Sequence, residues 1–204
     1  MENIIDFARK ELVNDNTGHG LQHALRVYNN ARKINKIEKG NEKIVLTAAL
    51  IHDTVDKKLF EDFDKRIEYV KNFLLKNDYS TQEVEEIVYI ISNISWNKGK
   101  NAELNSLNAK IVRDADRLDA IGAMGIIRAI EYGNAKQTNF YDEENIIEKD
   151  GKFEFNKITK STLSHFYEKL LLLKDKMHTE TARAMAEERH NFMLLFLEEF
   201  YNEI

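Results

Sequence analysis

The run Ala48-Ala49-Leu50-Ile51-His52-Asp53-Thr54-Val55-Asp56 decides how this chain is read. The residues leading into it, Ile44-Val45-Leu46 and then Ala48 to Ile51, are apolar almost all round. A helix of that kind sits in the middle of a helical bundle. It stops in an adjacent histidine and aspartate. Neighbouring side chains on a regular helix point about 100° apart, so His52 and Asp53 converge on one point only at a helix end or bend. A carboxylate at a helix C-terminus is opposed by the macrodipole, and a cation there would offset that penalty. The pattern predicts a helix over about 42–53, then a polar irregular stretch to about Asp64.

Working outward, two stretches carry matching residue types. Upstream lies Gly18-His19-Gly20-Leu21-Gln22-His23, in which His19 and His23 are four apart and share a helix face. Downstream lies Val112-Arg113-Asp114-Ala115-Asp116-Arg117-Leu118-Asp119, in which Asp116 and Asp119 share a face and Asp114 points away. On residue types alone two accounts stand level. Imidazoles and carboxylates from three helices make a divalent-metal centre. Alternatively, His52 is a hydrogen-bonded core histidine and the aspartates are a solvated face paired with Arg113 and Arg117, because ion-pair networks imitate functional clusters.

The remaining segments read as helices. They cover about 2–14, with Ile4, Ile5, Ala8 and Leu12 on one face, and about 19–37, stopped by Gly40 in the left-handed conformation. Further helices cover 65–77, 81–94 (entered through a Ser80–Glu83 capping box), 160–176, and 179–202 starting at Thr179. Residues 106–133 form one or two helices in which Gly122 and Gly125 allow close helix packing, and Gly133-Asn134 ends the element. Residues 134–158 lack strong periodicity, and Asp150-Gly151 marks a small hairpin. With no proline anywhere, nothing interrupts the helical patterns. The expected fold is all-α: one domain spanning 1–204, a helical bundle with a long loop or small hairpin excursion near 134–158.

Composition excludes several classes. The net charge of −5 argues against a nucleic-acid polymer as partner. Without cysteine there is no disulfide, thiolate metal site or cysteine nucleophile. No apolar run reaches the length of a membrane span, and Met1-Glu2-Asn3-Ile4-Ile5-Asp6 lacks the regions of a signal peptide. The cytoplasm is the expected location, without a membrane partner.

The order His23, His52-Asp53, then Asp116 within Asp-Ala-Asp-Arg-Leu-Asp-Ala resembles the His…His-Asp…Asp signature of the HD-domain metal-dependent phosphohydrolases. Asp15 to Val27, Ala48 to Asp53, Val112 to Gly125 and His165-Phe166-Tyr167-Glu168-Lys169-Leu170 resemble its YedJ/YpgQ-like branch, so the likeness covers most of the chain. One departure is visible: that branch reads His-Asp-x-x-His near its start, whereas here Gly20 replaces the aspartate and Leu21 an aromatic residue.

The resemblance implies an HD-type bundle in which His23, His52, Asp53 and Asp116 ligate one divalent ion. Two imidazoles and two carboxylates suit Mn²⁺, Fe²⁺, Co²⁺, Ni²⁺ or Zn²⁺, and Mg²⁺ stands beside them. It also implies hydrolysis of a phosphate ester or anhydride in a nucleotide, foremost a nucleoside triphosphate cleaved to monophosphate and pyrophosphate. The alternatives are a 5′-nucleotidase, a nucleotide phosphodiesterase, or a non-catalytic metal- and nucleotide-binding regulatory module, and a homodimer is compatible with each. Asp53 counts as catalytic as well as ligating. Asp56, three residues after the pair, is expected to orient water or accept its proton. His165 and Lys169, four apart on an expected helix, are expected to grip phosphate oxygens, with Arg117 as a third cation and His19 beside the substrate. Phe166, Leu170 and Leu173 are expected to pack on the bundle.

Overall fold

The chain is described by a computed structural model covering residues 1–13, 20–55, 62–94 and 103–204. It is all-α apart from one two-stranded sheet, and it forms two compact units, Met1–Asp116 and Arg117–Ile204. No helix among the described residues is long and apolar enough to cross a membrane.

The first unit contains α1 (Glu2–Glu11), α2 (Leu21–Glu38), α3 (Glu42–Ile51), α4 (Phe63–Leu75), α5 (Thr81–Asn93) and most of α6 (Leu107–Asp119). The apolar helix α3 lies at its centre, packed on α1, α2 and α5. Every residue of α3 from Ile44 to Ile51 is buried. Asn41 starts the helix by accepting a hydrogen bond from the Ile44 amide at 3.3 Å, which satisfies one of the free donors of the first turn. After Ile51 the chain tightens into a 3₁₀ turn, His52–Val55. That change of winding is the helix end His52 and Asp53 need in order to converge. The Ser80–Glu83 capping box forms as expected, with both reciprocal bonds in place.

The second unit contains α7 (Gly122–Ala135), strands β1 (Ile146–Lys149) and β2 (Lys152–Phe155), α8 (Thr162–Glu168), a 3₁₀ segment (Leu170–Lys176) and α9 (Glu180–Glu203). The strands pair antiparallel, Ile146 opposite Phe155 and Lys149 opposite Lys152, around Asp150 and Gly151 at φ 53° and 74°. Two positive φ values are what a two-residue hairpin turn requires. Asn145, fully buried, anchors the root of this hairpin: its two amide N–H groups are shared among the Lys157 carbonyl at 3.0 Å and the Thr159 and Ser164 hydroxyls at 3.0 and 3.1 Å. Phe155 stacks on Tyr167 with ring centroids 3.8 Å apart, and the Tyr167 and Tyr201 hydroxyls meet at 2.8 Å. Phe166, Leu170 and Leu173 are buried, as expected.

Three expectations are corrected, and the one-or-two-helix alternative over 106–133 is decided. Lys39, not Gly40, takes the left-handed conformation after α2, at φ 64°. Gly40 is needed for space: a Cβ there would stand 2.6 Å from Asn108 Oδ1 and 2.8 Å from Asn35 Oδ1. Residues 106–133 form two helices, and Gly122 starts the second at φ 75°. Gly125 does not serve helix–helix packing, because its missing Cβ makes room for the Ala120 carbonyl in the turn just before. The helix expected over 160–176 breaks at Lys169, at φ −138° and ψ −58°. His165 and Lys169 therefore do not share one helix face.

Candidate metal centre

His23 lies in the first turns of α2 on the buried stripe that also carries Ala24, Val27, Asn30, Ala31 and Ile34. This is the side facing α3, where His52 ends the helix. The His52 Nδ1 lies 2.9 Å from the Ala49 carbonyl. A carbonyl only accepts, so the ring proton is on Nδ1 and the Nε2 lone pair is free to ligate. The His23 and His52 Nε2 atoms face one another at 3.2 Å, with the rings edge to face at 66°.

Asp53 completes the cluster. Its Oδ2 is 3.4 Å from His23 Nε2 and 3.3 Å from His52 Nε2. That oxygen is buried and accepts no hydrogen bond among the described residues. A carboxylate oxygen withdrawn from water without a donor is costly, and a cation is the natural remedy. Asp116 Oδ1 comes within 3.4 Å of His23 Nε2 and 3.8 Å of His52 Nε2. His23, His52 and Asp53 form the tightest group. Asp116, its side chain 28% exposed, stands on the open side. At metal–nitrogen bonds of about 2.0–2.1 Å, neighbouring ligand atoms lie roughly 3.0–3.4 Å apart, depending on geometry. The spacings found match that range or exceed it slightly, so the donor set fits a single divalent ion.

Residues the sequence reading did not single out hold this arrangement. Arg66 on α4 donates from Nε to the Thr54 carbonyl at 2.6 Å and pairs through Nη2 with Glu11 Oε2 at 2.8 Å. The guanidinium carbon lies 4.9 Å from the Tyr69 ring centroid. Arg66 thus links α1 and α4 to the turn carrying His52 and Asp53. Thr54 Oγ1 returns a bond to the Ile51 carbonyl at 2.7 Å. Asn30 donates to the Ala115 carbonyl at 3.2 Å, fixing α6 one residue before Asp116. Local pattern announces none of these, because each joins positions far apart in the chain. The aspartates of α6 are not a solvated face: Asp114 and Asp119 are buried, and Asp119 pairs with Arg128 at 2.9 Å.

The expected substrate contacts divide. Arg117 is buried, its Nη1 bonded to the Lys176 carbonyl and 3.3 Å from the His178 ring. His165 is half-buried on α8; burial, aided by the Lys169 charge, holds its pKa below the ordinary histidine value. Lys169 stands half-buried at the helix break. His19 and Asp56 lie outside the described residues.

The family profile described as HD domain matches residues 20–121. YpgQ of Bacillus subtilis, an uncharacterised protein, is 38% identical over 205 residues, covering 100% of this chain and 93% of the relative. The crystal structure of that protein in complex with ADP superposes with a TM-score of 0.80 at 33% identity, covering 100% of this chain and 97% of the other. An HD-superfamily hydrolase from Bacillus thuringiensis gives a TM-score of 0.80 at 37% identity, covering 99% and 95% of the two chains.

Proposed function

The chain belongs to the HD-domain superfamily of hydrolases, and from that premise we propose that it is a metal-dependent phosphohydrolase of nucleotides, foremost a nucleoside triphosphate pyrophosphohydrolase. The observation that carries this reading is the buried, undonated Asp53 oxygen facing two imidazole nitrogens within 3.4 Å. His23, His52, Asp53 and Asp116 would hold one divalent ion. Such an ion polarises a phosphoryl oxygen and lowers the pKa of water.

The protein's own groups do the rest. The Ala49 carbonyl fixes the His52 tautomer, so the Nε2 lone pair is available without a proton being displaced. Asp53 and Asp116 bring negative charge that favours a cation. Asp56 orients the attacking water and accepts its proton as the new bond to phosphorus forms. The bond from that phosphorus to the bridging oxygen breaks, and pyrophosphate departs. Arg117, His165, Lys169 and His19 are assigned to the phosphate oxygens, where positive charge or an N–H stabilises charge developing in the transition state. The complex of the Bacillus subtilis relative with ADP supports a nucleotide as the ligand class.

The test is a screen of nucleoside mono-, di- and triphosphates against Mn²⁺, Fe²⁺, Co²⁺, Ni²⁺, Zn²⁺ and Mg²⁺ with the products identified. Monophosphate and pyrophosphate from a triphosphate, lost in His52→Ala, are expected. Release of orthophosphate alone makes the enzyme a nucleotidase. Stoichiometric nucleotide binding without turnover makes it a regulatory module.

A further inference from the structure

In the Arg117–Ile204 unit, a cavity of about 210 Å³ opens between the end of α7 and the start of α8. Its lining includes Tyr132, Lys136, Thr138, Lys160, His165 and Glu168. At its floor α7 and α8 approach closely, because Gly133 lacks a side chain. Gly133 is buried, and a Cβ there would collide with Thr162 Oγ1.

The basic groups on the wall of this cavity, Lys136, Lys160 and His165, outnumber its one carboxylate, Glu168. Thr138 Oγ1 is committed to the Gly133 carbonyl at 3.0 Å, and Thr159 Oγ1, also on the wall, to Asp142 Oδ2 at 2.7 Å. The Gly133 carbonyl, which would repel an anion, is covered by the amides of Lys136 and Thr138 at 3.1 and 3.0 Å as well. Among the described residues the His165 ring has no hydrogen-bond partner, and neither Lys136 nor Lys160 forms an ion pair. Two ammonium groups and one imidazole N–H thus face a single cavity, with Glu168 the one acid on its wall.

We propose that this cavity is a phosphoryl-anion site in which Lys136, Lys160 and His165 bind a group the size of pyrophosphate. Ammonium groups act on phosphate as point charges, and the imidazole adds a directed donor. The volume argues for the small ligand. Each water occupies about 30 Å³ in the liquid, so the cavity has room for about seven waters, whereas pockets for drug-sized ligands run to about 300–1,000 Å³. The proposal supplies partners for His165. It rests on the proposed reaction in one respect only, that pyrophosphate is the anion which that reaction yields.

The experiment is calorimetric titration of pyrophosphate, orthophosphate and AMP into the full chain after chelation, at an ionic strength near 0.15 M, where exposed charges are screened beyond about 8 Å. Chelation removes the metal centre, so binding is read independently of turnover, and His52→Ala must bind the same anion equally well. One equivalent of pyrophosphate is expected. Lys136→Ala and Lys160→Ala should each weaken it about tenfold, the loss of one charge-assisted hydrogen bond, and Lys136→Arg should keep most of the affinity. The His165 ring signals should move with pyrophosphate. Orthophosphate binding as tightly as pyrophosphate upholds the cavity and narrows its ligand to one phosphoryl group. AMP binding upholds it for a nucleotide-borne phosphate. Absence of all three, or affinity untouched by both lysine-to-alanine changes, overturns the proposal.

Discussion

His23 and His52 meet Nε2 to Nε2 at 3.2 Å. With the His52 proton on Nδ1, one lone pair points at the other ring, and a metal ion is what both nitrogens can share. His52→Ala and Asp116→Ala should therefore lose both metal retention and turnover. Elemental analysis beside activity checks this, and full occupancy with normal turnover in Asp116→Ala would remove Asp116 from the ligand set.

Asp53 offers a test in which stability and function move in opposite directions. Its Oδ2 is buried, and no described residue donates to it. Asp53→Asn should make the chelated chain more stable than wild type by about 1–3 kcal/mol, the scale of one unmet buried polar group, while abolishing tight metal binding. Urea unfolding with and without metal separates the two effects. A chelated variant less stable than wild type would mean that the oxygen is satisfied in solution.

For Asp56 the expectation concerns rate alone. Asp56→Asn should lower kcat by about 10²–10⁴-fold, the usual contribution of a placed general base, with metal content unchanged. A rate within a few-fold of wild type would leave water activation to the metal.

The Glu11–Arg66 pair is nearly withdrawn from solvent, with side chains 11% and 10% exposed. Removing one partner of a buried pair costs about 3–5 kcal/mol. Arg66→Met should lose that much, Glu11→Gln somewhat less, and the double variant less than the sum of the two. Because Arg66 also holds the Thr54 carbonyl, Arg66→Met should weaken metal affinity in protein that is still folded. Affinity unchanged at low temperature would confine the pair to stability.

Tyr167 and Tyr201 set an alkaline limit. Burial raises both phenols above their ordinary pKa; their shared hydrogen bond raises Tyr201 further and opposes the rise at Tyr167. A raised folded-state pKa gives stability that is complete below the unfolded value, about 10, and is lost as pH climbs past it. Unfolding free energy should fall above that pH in wild type and fall less steeply in Tyr201→Phe. Tyrosinate absorbance followed alongside unfolding checks the sign.

Much of this was legible in the chain because it depends on period and punctuation. The all-round apolar α3, the Ser80–Glu83 box and the Asp150-Gly151 turn are local signals, and each formed where it was read. The convergence of His52 and Asp53 was legible as a requirement for a helix end, which the 3₁₀ turn supplies. Contacts that close over long separations were not legible. Arg66 looks like one of many helix-surface cations until Glu11 and the Thr54 carbonyl are brought to it. Lys169 reads as helical because Leu170 to Lys176 keeps a helix-like pattern, and only the tighter 3₁₀ winding takes it off the His165 face. Lys39 takes the backbone role that a glycine at position 40 suggests, since sequence does not show that Asn108 and Asn35 crowd Gly40.

The hairpin is fastened at its root and open at its tip. Asn145 secures the base through an amide shared among three acceptors, while a Cβ on Gly151 would meet nothing within 4 Å. That makes the Asp150-Gly151 junction a place to graft new sequence: a peptide epitope or fluorophore tag inserted there can be carried without disturbing the body of the protein. The same graft moved a few residues back, to Asn145, would unfasten the whole excursion.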